Sequence, residues 1–296
     1  MIVGCASLLA ALAVAASAPA AQMGGVAKGM VDPEGKAQPV PAAAPAPSPT
    51  PIPGVSGDDS GGVVKDMVAG GTHWRVGTDK GPIHVWRPPG FDLKTAGVLV
   101  YLHGYYTNVD ESWTHHHLAE QFRASRRNAL FVVPEVPVGI NDRVRWVDPE
   151  AIFEVLRRDL GLEIPAGAIA VMGHSGAFRT VLGWLSCPRL EQIILLDGLY
   201  NCEADFLAWL KSDPKPPSGR RMVIVGFETA ERSEAFLPNV AEALFRDGIP
   251  ESGARFKRRE RLAKLLYVHS QYDHMGLITE GKAIPVLMRL TGFKAL

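Results

Sequence analysis

The 296-residue chain lacks any excess of charge, with Lys+Arg and Asp+Glu balanced at 31 each. Proteins that hold nucleic acid or other polyanions rely on a basic surplus, so no nucleic-acid partner is expected. Cysteine is scarce: Cys5, Cys187 and Cys202 are the three in the chain. There is no internal repeat. Basic residues are missing from the start of the chain, the first being Lys28. What is present, 47% apolar and 21% charged residues, suits a globular protein with a sizeable core. The length suits one α/β domain with appendages rather than two large domains.

Residues 6–18 form a short apolar run, with small residues at Ala18, Ala20 and Ala21 that offer A-x-A-like cleavage sites. The run is too short for a comfortable membrane span. Residues 1–22 therefore read as a segment like a signal peptide, although without its usual basic start. Cys5 follows Ile2-Val3-Gly4 as in a lipobox, but it precedes the apolar run where a lipidated cysteine should follow it. Residues 23–62 are rich in Pro, Ala and Gly, as in Pro45-Ala46-Pro47-Ser48-Pro49. Proline fixes φ and removes donors, so this stretch is expected to be an extended, disordered linker. The expectation is an exported protein (periplasmic, extracellular or tethered to the envelope) with its folded domain at 63–296. That domain is expected to be a monomer without a transmembrane helix.

Within the domain, Thr72 to Val76 and Pro82 to Arg87 alternate polar and apolar residues, as half-exposed antiparallel strands do. Gly97 to Leu102 is apolar throughout, as a central strand covered on both faces should be. It runs into His103-Gly104-Tyr105-Tyr106. A helix is expected over Glu111 to Ser125, carrying His115, His116 and His117. Adjacent helical residues fan out by about 100°, so these histidines are not expected to share a metal ion. Further strands are expected at 129–134, 192–197, 221–228 and 264–268. Helices are expected at 151–160, 204–211, 233–245 and 282–290. Strands alternating with helices call for a mostly parallel sheet, with ligands at the carboxyl ends of its strands.

One stretch organises the rest. Ala168 to Met172 is an apolar strand, Gly173-His174-Ser175-Gly176-Ala177 follows, and Thr180 to Leu185 has the apolar spacing of a packed helix. A strand turning this tightly into a helix crowds backbone against backbone, so the positions two before and two after the serine must be small. Gly173 and Ala177 meet that need. The amide of Gly176 then points at any oxyanion formed at Ser175.

This stretch resembles the nucleophile elbow of the α/β-hydrolase family, G-x-S-x-G, with alanine in the last place. The order strand, Pro88-Pro89-Gly90-Phe91, apolar strand, His103-Gly104 is also similar to that family. The resemblance implies an α/β-hydrolase fold over 63–296, with a mostly parallel sheet, helices on both faces and little or no lid. It implies that the loop after His103-Gly104 gives a second oxyanion donor, the amide of Tyr105, and that His103 is structural. It further implies the triad order serine, acid, histidine. The base is then His274, with His269 as competitor. The acid is Asp197, with Glu228 as the alternative. Asp273 is expected to be a turn residue.

Tyr106 and Trp146 are candidates for contacting substrate. Cys187 and Cys202 flank the segment after the elbow, and in an exported protein a disulfide between them is expected. The implied chemistry needs no cofactor or metal. The expected function is a serine hydrolase of carboxylic esters, similar to esterases, lipases and polyester depolymerases. A peptidase or amidase acting on cell-envelope material and a catalytically silent binding module are the alternatives. An open site with a small lid at most suits a large or polymeric ester.

Overall fold

The computed structural model describes residues 62–212, 219–251 and 255–296. The expectations for residues 1–22, and for all but the end of 23–62, lie outside the described residues. The strands are β1 (Val63–Val68), β2 (Gly71–Val76), β3 (Ile83–Arg87), β4 (Gly97–Leu102), β5 (Ala129–Pro134), β6 (Ile169–His174), β7 (Leu190–Leu196), β8 (Arg221–Gly226), β9 (Leu244–Asp247) and β10 (Leu265–His269). The helices are α1 (Val109–His115), α2 (Leu118–Ser125), α3 (Pro149–Leu160), α4 (Phe178–Gly183), α5 (Glu203–Lys211), α6 (Ala230–Phe236), α7 (Arg258–Leu262), α8 (Gly276–Thr279) and α9 (Ala283–Met288).

All ten strands form one sheet in the order β1-β2-β3-β5-β4-β6-β7-β8-β10-β9. β1, β2 and β3 pair antiparallel with their neighbours, and the pairs from β5 to β9 are parallel. The fully apolar strands β4, β5 and β6 are buried at every position, because helices cover both faces of a parallel sheet. Alternate residues feed two cores, as the two-residue period of a strand requires. Val98, Val100 and Leu102 of β4 meet Phe153, Leu156 and Val181 on one face. Leu99 and Tyr101 meet Phe122, Leu277 and Leu287 on the other.

Two of the expected helices differ in the structure. The helix expected over 111–125 is two helices, because His117 takes a left-handed conformation (φ 48°) between α1 and α2. His116 is buried against Tyr101, so the three histidines point apart. Asn108 starts α1 by accepting from the Glu111 amide, which places the helix two residues earlier than expected. The helix expected over 233–245 ends at Phe236, and 244–247 forms β9, an edge strand of alternating exposure. A short amphipathic segment carries either period, and the free edge of β10 decides for a strand.

A chain of hydrogen bonds ties the antiparallel end of the sheet to α1. His73 Nδ1 lies 2.6 Å from Asp66, His73 Nε2 lies 2.9 Å from His84 Nδ1, and His84 Nε2 lies 2.8 Å from Asp110. Arg75 clamps the same Asp110 carboxylate with bonds of 2.7 and 2.8 Å. The Trp113 ring stacks on both imidazoles at 4.5 and 4.8 Å. Burial alone would raise the Asp110 pKa, but the bonds from Arg75 and His84 outweigh it and hold the carboxyl well below its ordinary range. α1 follows directly on the 103–108 loop, so this polar chain anchors one wall of the site.

Candidate active site

The elbow forms as its small residues require. β6 ends at His174, and Ser175 turns the chain with φ 51°, a left-handed conformation that a non-glycine residue adopts only under strain. Residues 175–177 make a single 3-10 turn that continues into α4. A side chain at Gly173 would stand 3.2 Å from Val181 Cγ2 and 3.4 Å from Ala177 Cβ. One at Gly104 would come within 2.8 Å of His174 Nδ1 and 3.1 Å of Ser175 Cβ. The 103–104 loop therefore lies against the elbow, with glycine where the two backbones meet. Ser175 is half-buried and open to solvent.

Asp197 leaves the tip of β7, two strands from β10, which carries His274 on the loop at its end. Its carboxylate is fully buried. Oδ1 accepts from the amides of Phe227 and Thr229 and from the Thr229 hydroxyl, at 2.9, 2.8 and 2.8 Å. Oδ2 accepts from the Glu228 amide at 3.1 Å and faces His274 Nδ1 at 2.7 Å. Burial would raise the pKa of this carboxyl, but the hydrogen bonds from His274, Phe227 and Thr229 outweigh it and hold the group ionised. Conversely, burial would lower the His274 pKa, and the bond and charge of Asp197 raise it above the ordinary value, helped by Glu228.

Glu228, the alternative acid, lies 3.8 Å from the same nitrogen with its side chain 59% exposed. The hydrogen bond goes to Asp197; Glu228 contributes a second, solvated charge. The three groups Asp197, Glu228 and His274 are also close enough to enclose a cation. Oδ2 and Nδ1 at 2.7 Å already share a proton between them, however, and a metal would have to break that bond.

The competitor His269 faces exposed Asp247 on the far strand β9, at 3.1 Å, not Asp197. Asp273 accepts from the Gly276 amide at 2.6 Å and closes the turn before α8. His103 is fully buried, with bonds of 2.7 Å to the Gly104 carbonyl and 2.8 Å to Glu135. It holds the loop.

Two residues that the sequence did not single out complete the arrangement. His174 donates from Nε2 to the backbone carbonyl of His274 at 3.0 Å, and the two rings pack with centroids 4.5 Å apart. Burial pushes its pKa down to about 3, so it is a neutral ring that links the residue before Ser175 to the backbone of His274. Tyr200 lies three residues beyond Asp197, and burial, aided by the charges of Asp197 and Glu228, pushes its pKa up to about 12. Its ring packs against Phe178 at 5.7 Å. Neither had a local mark: a histidine beside the serine and an aromatic past the acid have no meaning until the strand tips meet.

The Tyr105 ring lies over Gly176, where a Cβ would overlap it. Its hydroxyl accepts from Arg179 at 3.0 Å, and Arg179 also holds the carbonyls of Ile140 and Asp142. The two residues whose amides were expected to face the oxyanion therefore sit against each other. Tyr106 is 85% exposed beside Tyr105.

Two expectations are corrected. Trp146 does not line the site: it is 1% exposed in the core, under the Lys80 ammonium, and its carbonyl accepts from the buried Trp184 indole. A polar loop near the site carried it, but so large an apolar ring gains more from burial than from lining a cleft. Cys187 and Cys202 are both free, buried thiols. Cys187 is held in the turn after α4, where its amide donates to the Trp184 carbonyl, and Cys202 leads into α5, where its carbonyl accepts from Phe206. Each packs as a small apolar group in the same core.

Strand order, the antiparallel start, the elbow after β6 and the histidine after β10 together decide the architecture. The fold is that of the α/β-hydrolases. No family model and no curated protein matches the chain. Among solved structures, the chain is similar to an S-formylglutathione hydrolase from Agrobacterium tumefaciens, at 12% identity and TM-score 0.48, covering 77% of this chain and 95% of that one. It is similar to the feruloyl esterase module from Clostridium thermocellum at 11% identity and TM-score 0.46, covering 77% and 88%. The fluorophosphonate-binding serine hydrolase F of Staphylococcus aureus is 10% identical with TM-score 0.47, covering 77% and 97%. The roles of residues in this chain rest on its own geometry. No helix among the described residues is long and apolar enough to cross a membrane.

Proposed function

We propose that the protein is a serine hydrolase that cleaves carboxylic esters through an acyl-enzyme on Ser175. The observation that carries this is the 2.7 Å bond from His274 Nδ1 to the buried, multiply hydrogen-bonded Asp197, in a histidine tied to the residue before the elbow serine. A serine hydroxyl attacks only when a base removes its proton. Asp197 fixes His274 with its proton on Nδ1, which leaves Nε2 to take the proton from Ser175 and stabilises the imidazolium that forms. Oxygen charge that develops on the carbonyl is met by the amides of Tyr105 and Gly176. The proton passes from Nε2 to the leaving alcohol, and water, activated by the same nitrogen, releases the acid.

The exposed Tyr106 ring beside a half-buried Ser175 supports a site that takes bulky or polymeric esters. Export directed by residues 1–22 belongs to the same proposal and is checked by fractionating cells that produce the full chain. The test of the chemistry is labelling by a fluorophosphonate, together with hydrolysis of p-nitrophenyl acetate and butyrate. Labelling and turnover that vanish in Ser175→Ala are expected. A folded wild-type protein that neither labels nor turns over would sink the proposal and move a silent binding module to the front.

A further inference from the structure

The amide expected to meet the oxyanion from the loop after β4 belongs to Tyr105, and a loop amide has no strand ladder to hold it. Its neighbours are held instead. His103, at the root of the loop, is bonded to Glu135 at 2.8 Å, and the Tyr106 amide donates to the Val138 carbonyl at 2.6 Å. Tyr106 has a left-handed backbone (φ 65°) at this point, a conformation that persists only where surrounding contacts enforce it. Among the described residues no backbone carbonyl accepts from the Tyr105 amide, so the donor between the two fixed points is left for a ligand.

The Tyr105 side chain supplies a third hold, and its partner comes from the helix that follows the nucleophile. Its ring lies on the Gly176 backbone, where a Cβ would overlap it. Its hydroxyl accepts from Arg179 Nη1 at 3.0 Å, with Arg179 in the first turn of α4. The same guanidinium reaches a second wall. Nη1 also donates to the Ile140 carbonyl at 2.7 Å, and Nη2 donates to the Asp142 carbonyl at 2.8 Å. The Asp142 carboxylate closes that turn from within, accepting from the Val138 and Gly139 amides at 3.0 and 2.9 Å. Val138 is the residue whose carbonyl holds the Tyr106 amide. Bonds thus run in a closed circuit through Tyr105, Arg179, Asp142, Val138 and Tyr106. A planar guanidinium with its donors in a rigid fork fixes two loops at once, as the single ammonium of a lysine does not.

We propose that Arg179 is a positioning residue for the reaction: through the Tyr105 hydroxyl and the 138–142 turn it holds the Tyr105 amide where oxyanion charge develops. The inference rests on the esterase reading of the site. The bonds of Arg179 go to Tyr105, Ile140 and Asp142, so it acts through them. Oxyanion donors lower the barrier because they are fixed in place before the charge appears. A loop that drifts therefore loses rate in the transition state and leaves ground-state binding nearly unchanged.

The test compares Arg179→Met, Arg179→Lys and Tyr105→Phe with wild type, all in the full chain. Tyr105→Phe removes the hydroxyl that Arg179 holds and keeps the amide. With p-nitrophenyl butyrate, Arg179→Met is expected to lose kcat about ten- to hundredfold, with KM within about threefold. Tyr105→Phe is expected to lose about fivefold or more in kcat, and the double variant no more than about twofold beyond Arg179→Met, because both changes cut one connection. Arg179→Lys keeps the charge without the fork and is expected to stay nearer Arg179→Met than wild type. Butaneboronic acid places a tetrahedral oxygen at the oxyanion position, and its affinity is expected to fall by the same factor as kcat/KM. Hydrogen exchange read by mass spectrometry needs no turnover. Exchange across 103–108 is expected to quicken about fivefold or more in Arg179→Met, while β4 and β6 stay protected. If Arg179→Met does not fold, Tyr105→Phe decides by the same readouts.

A rise in KM with kcat unchanged would make Arg179 a wall of the pocket and overturn the inference. Unchanged exchange in the loop, full activity in Arg179→Lys, or wild-type boronate affinity beside a fallen kcat would overturn it as well. Those results with an active wild type leave the esterase proposal standing. A folded wild type that neither labels with a fluorophosphonate nor turns over removes both.

Discussion

Neutralising Asp197 tests the site most sharply. In Asp197→Asn one oxygen can stay where Oδ1 accepts from Phe227, Thr229 N and Thr229 Oγ1. The amide nitrogen then takes the Oδ2 position, facing the Glu228 N–H and His274 Nδ1. A donor there forces His274 to accept at Nδ1 and to carry its proton on Nε2, where the Ser175 proton has to go. Loss of kcat/KM by about a thousand- to ten-thousandfold is expected, the size associated with a wrong triad tautomer. That corresponds to about 4–5.5 kcal/mol in the barrier. Glu228 lies 3.8 Å from the same nitrogen, but its side chain is 59% exposed and its field is screened by water. Glu228→Gln is therefore expected to change kcat/KM at its pH plateau by less than about threefold.

The pH profile separates the two acids further. His274 works only when neutral, so activity rises with pH through its pKa. Glu228 helps to raise that pKa; without its charge the acid limb moves to lower pH. Steady-state kinetics with p-nitrophenyl butyrate from pH 5 to pH 9, with folding checked by thermal melts, decides the matter. The tautomer argument is refuted if Asp197→Asn stays within about tenfold of wild type, or if Glu228→Gln proves the more damaging change.

Other consequences can be checked with the same assays. In Gly104→Ala the new methyl would stand 2.8 Å from His174 Nδ1 and 3.1 Å from Ser175 Cβ; turnover is expected to fall about tenfold or more as loop and elbow separate. Asp110→Asn leaves Arg75 and His84 without their shared carboxylate, and chemical denaturation is expected to show about 2–3 kcal/mol lost. Because the folded pKa of Asp197 is depressed, its contribution to stability is full above the ordinary carboxylate value of about 4 and is lost as pH falls through the lower, folded one. Asp197→Asn should flatten the acid side of a stability–pH curve by that amount.

The sequence by itself determined the elements whose physics is local. Gly173, Ser175 and Ala177 marked the elbow because a turn that tight admits only small neighbours. The wholly apolar runs of β4, β5 and β6 marked a covered parallel sheet. Tertiary structure decided everything that depends on which residues face each other. Asp197 and Glu228 both follow strand ends, and only the order β7-β8-β10 and the loops at those ends show which one reaches His274 at hydrogen-bond distance. Trp146 stood in a promising loop, yet its ring turned into the core. Cys187 and Cys202 looked close along the chain, yet each is a separate buried thiol. His174 and Tyr200 became part of the site only when the strand tips converged. Local patterning fixes conformation through sterics and solvation over a few residues; a catalytic hydrogen bond is a matter of tenths of an ångström between groups 77 residues apart, and folding alone sets that distance.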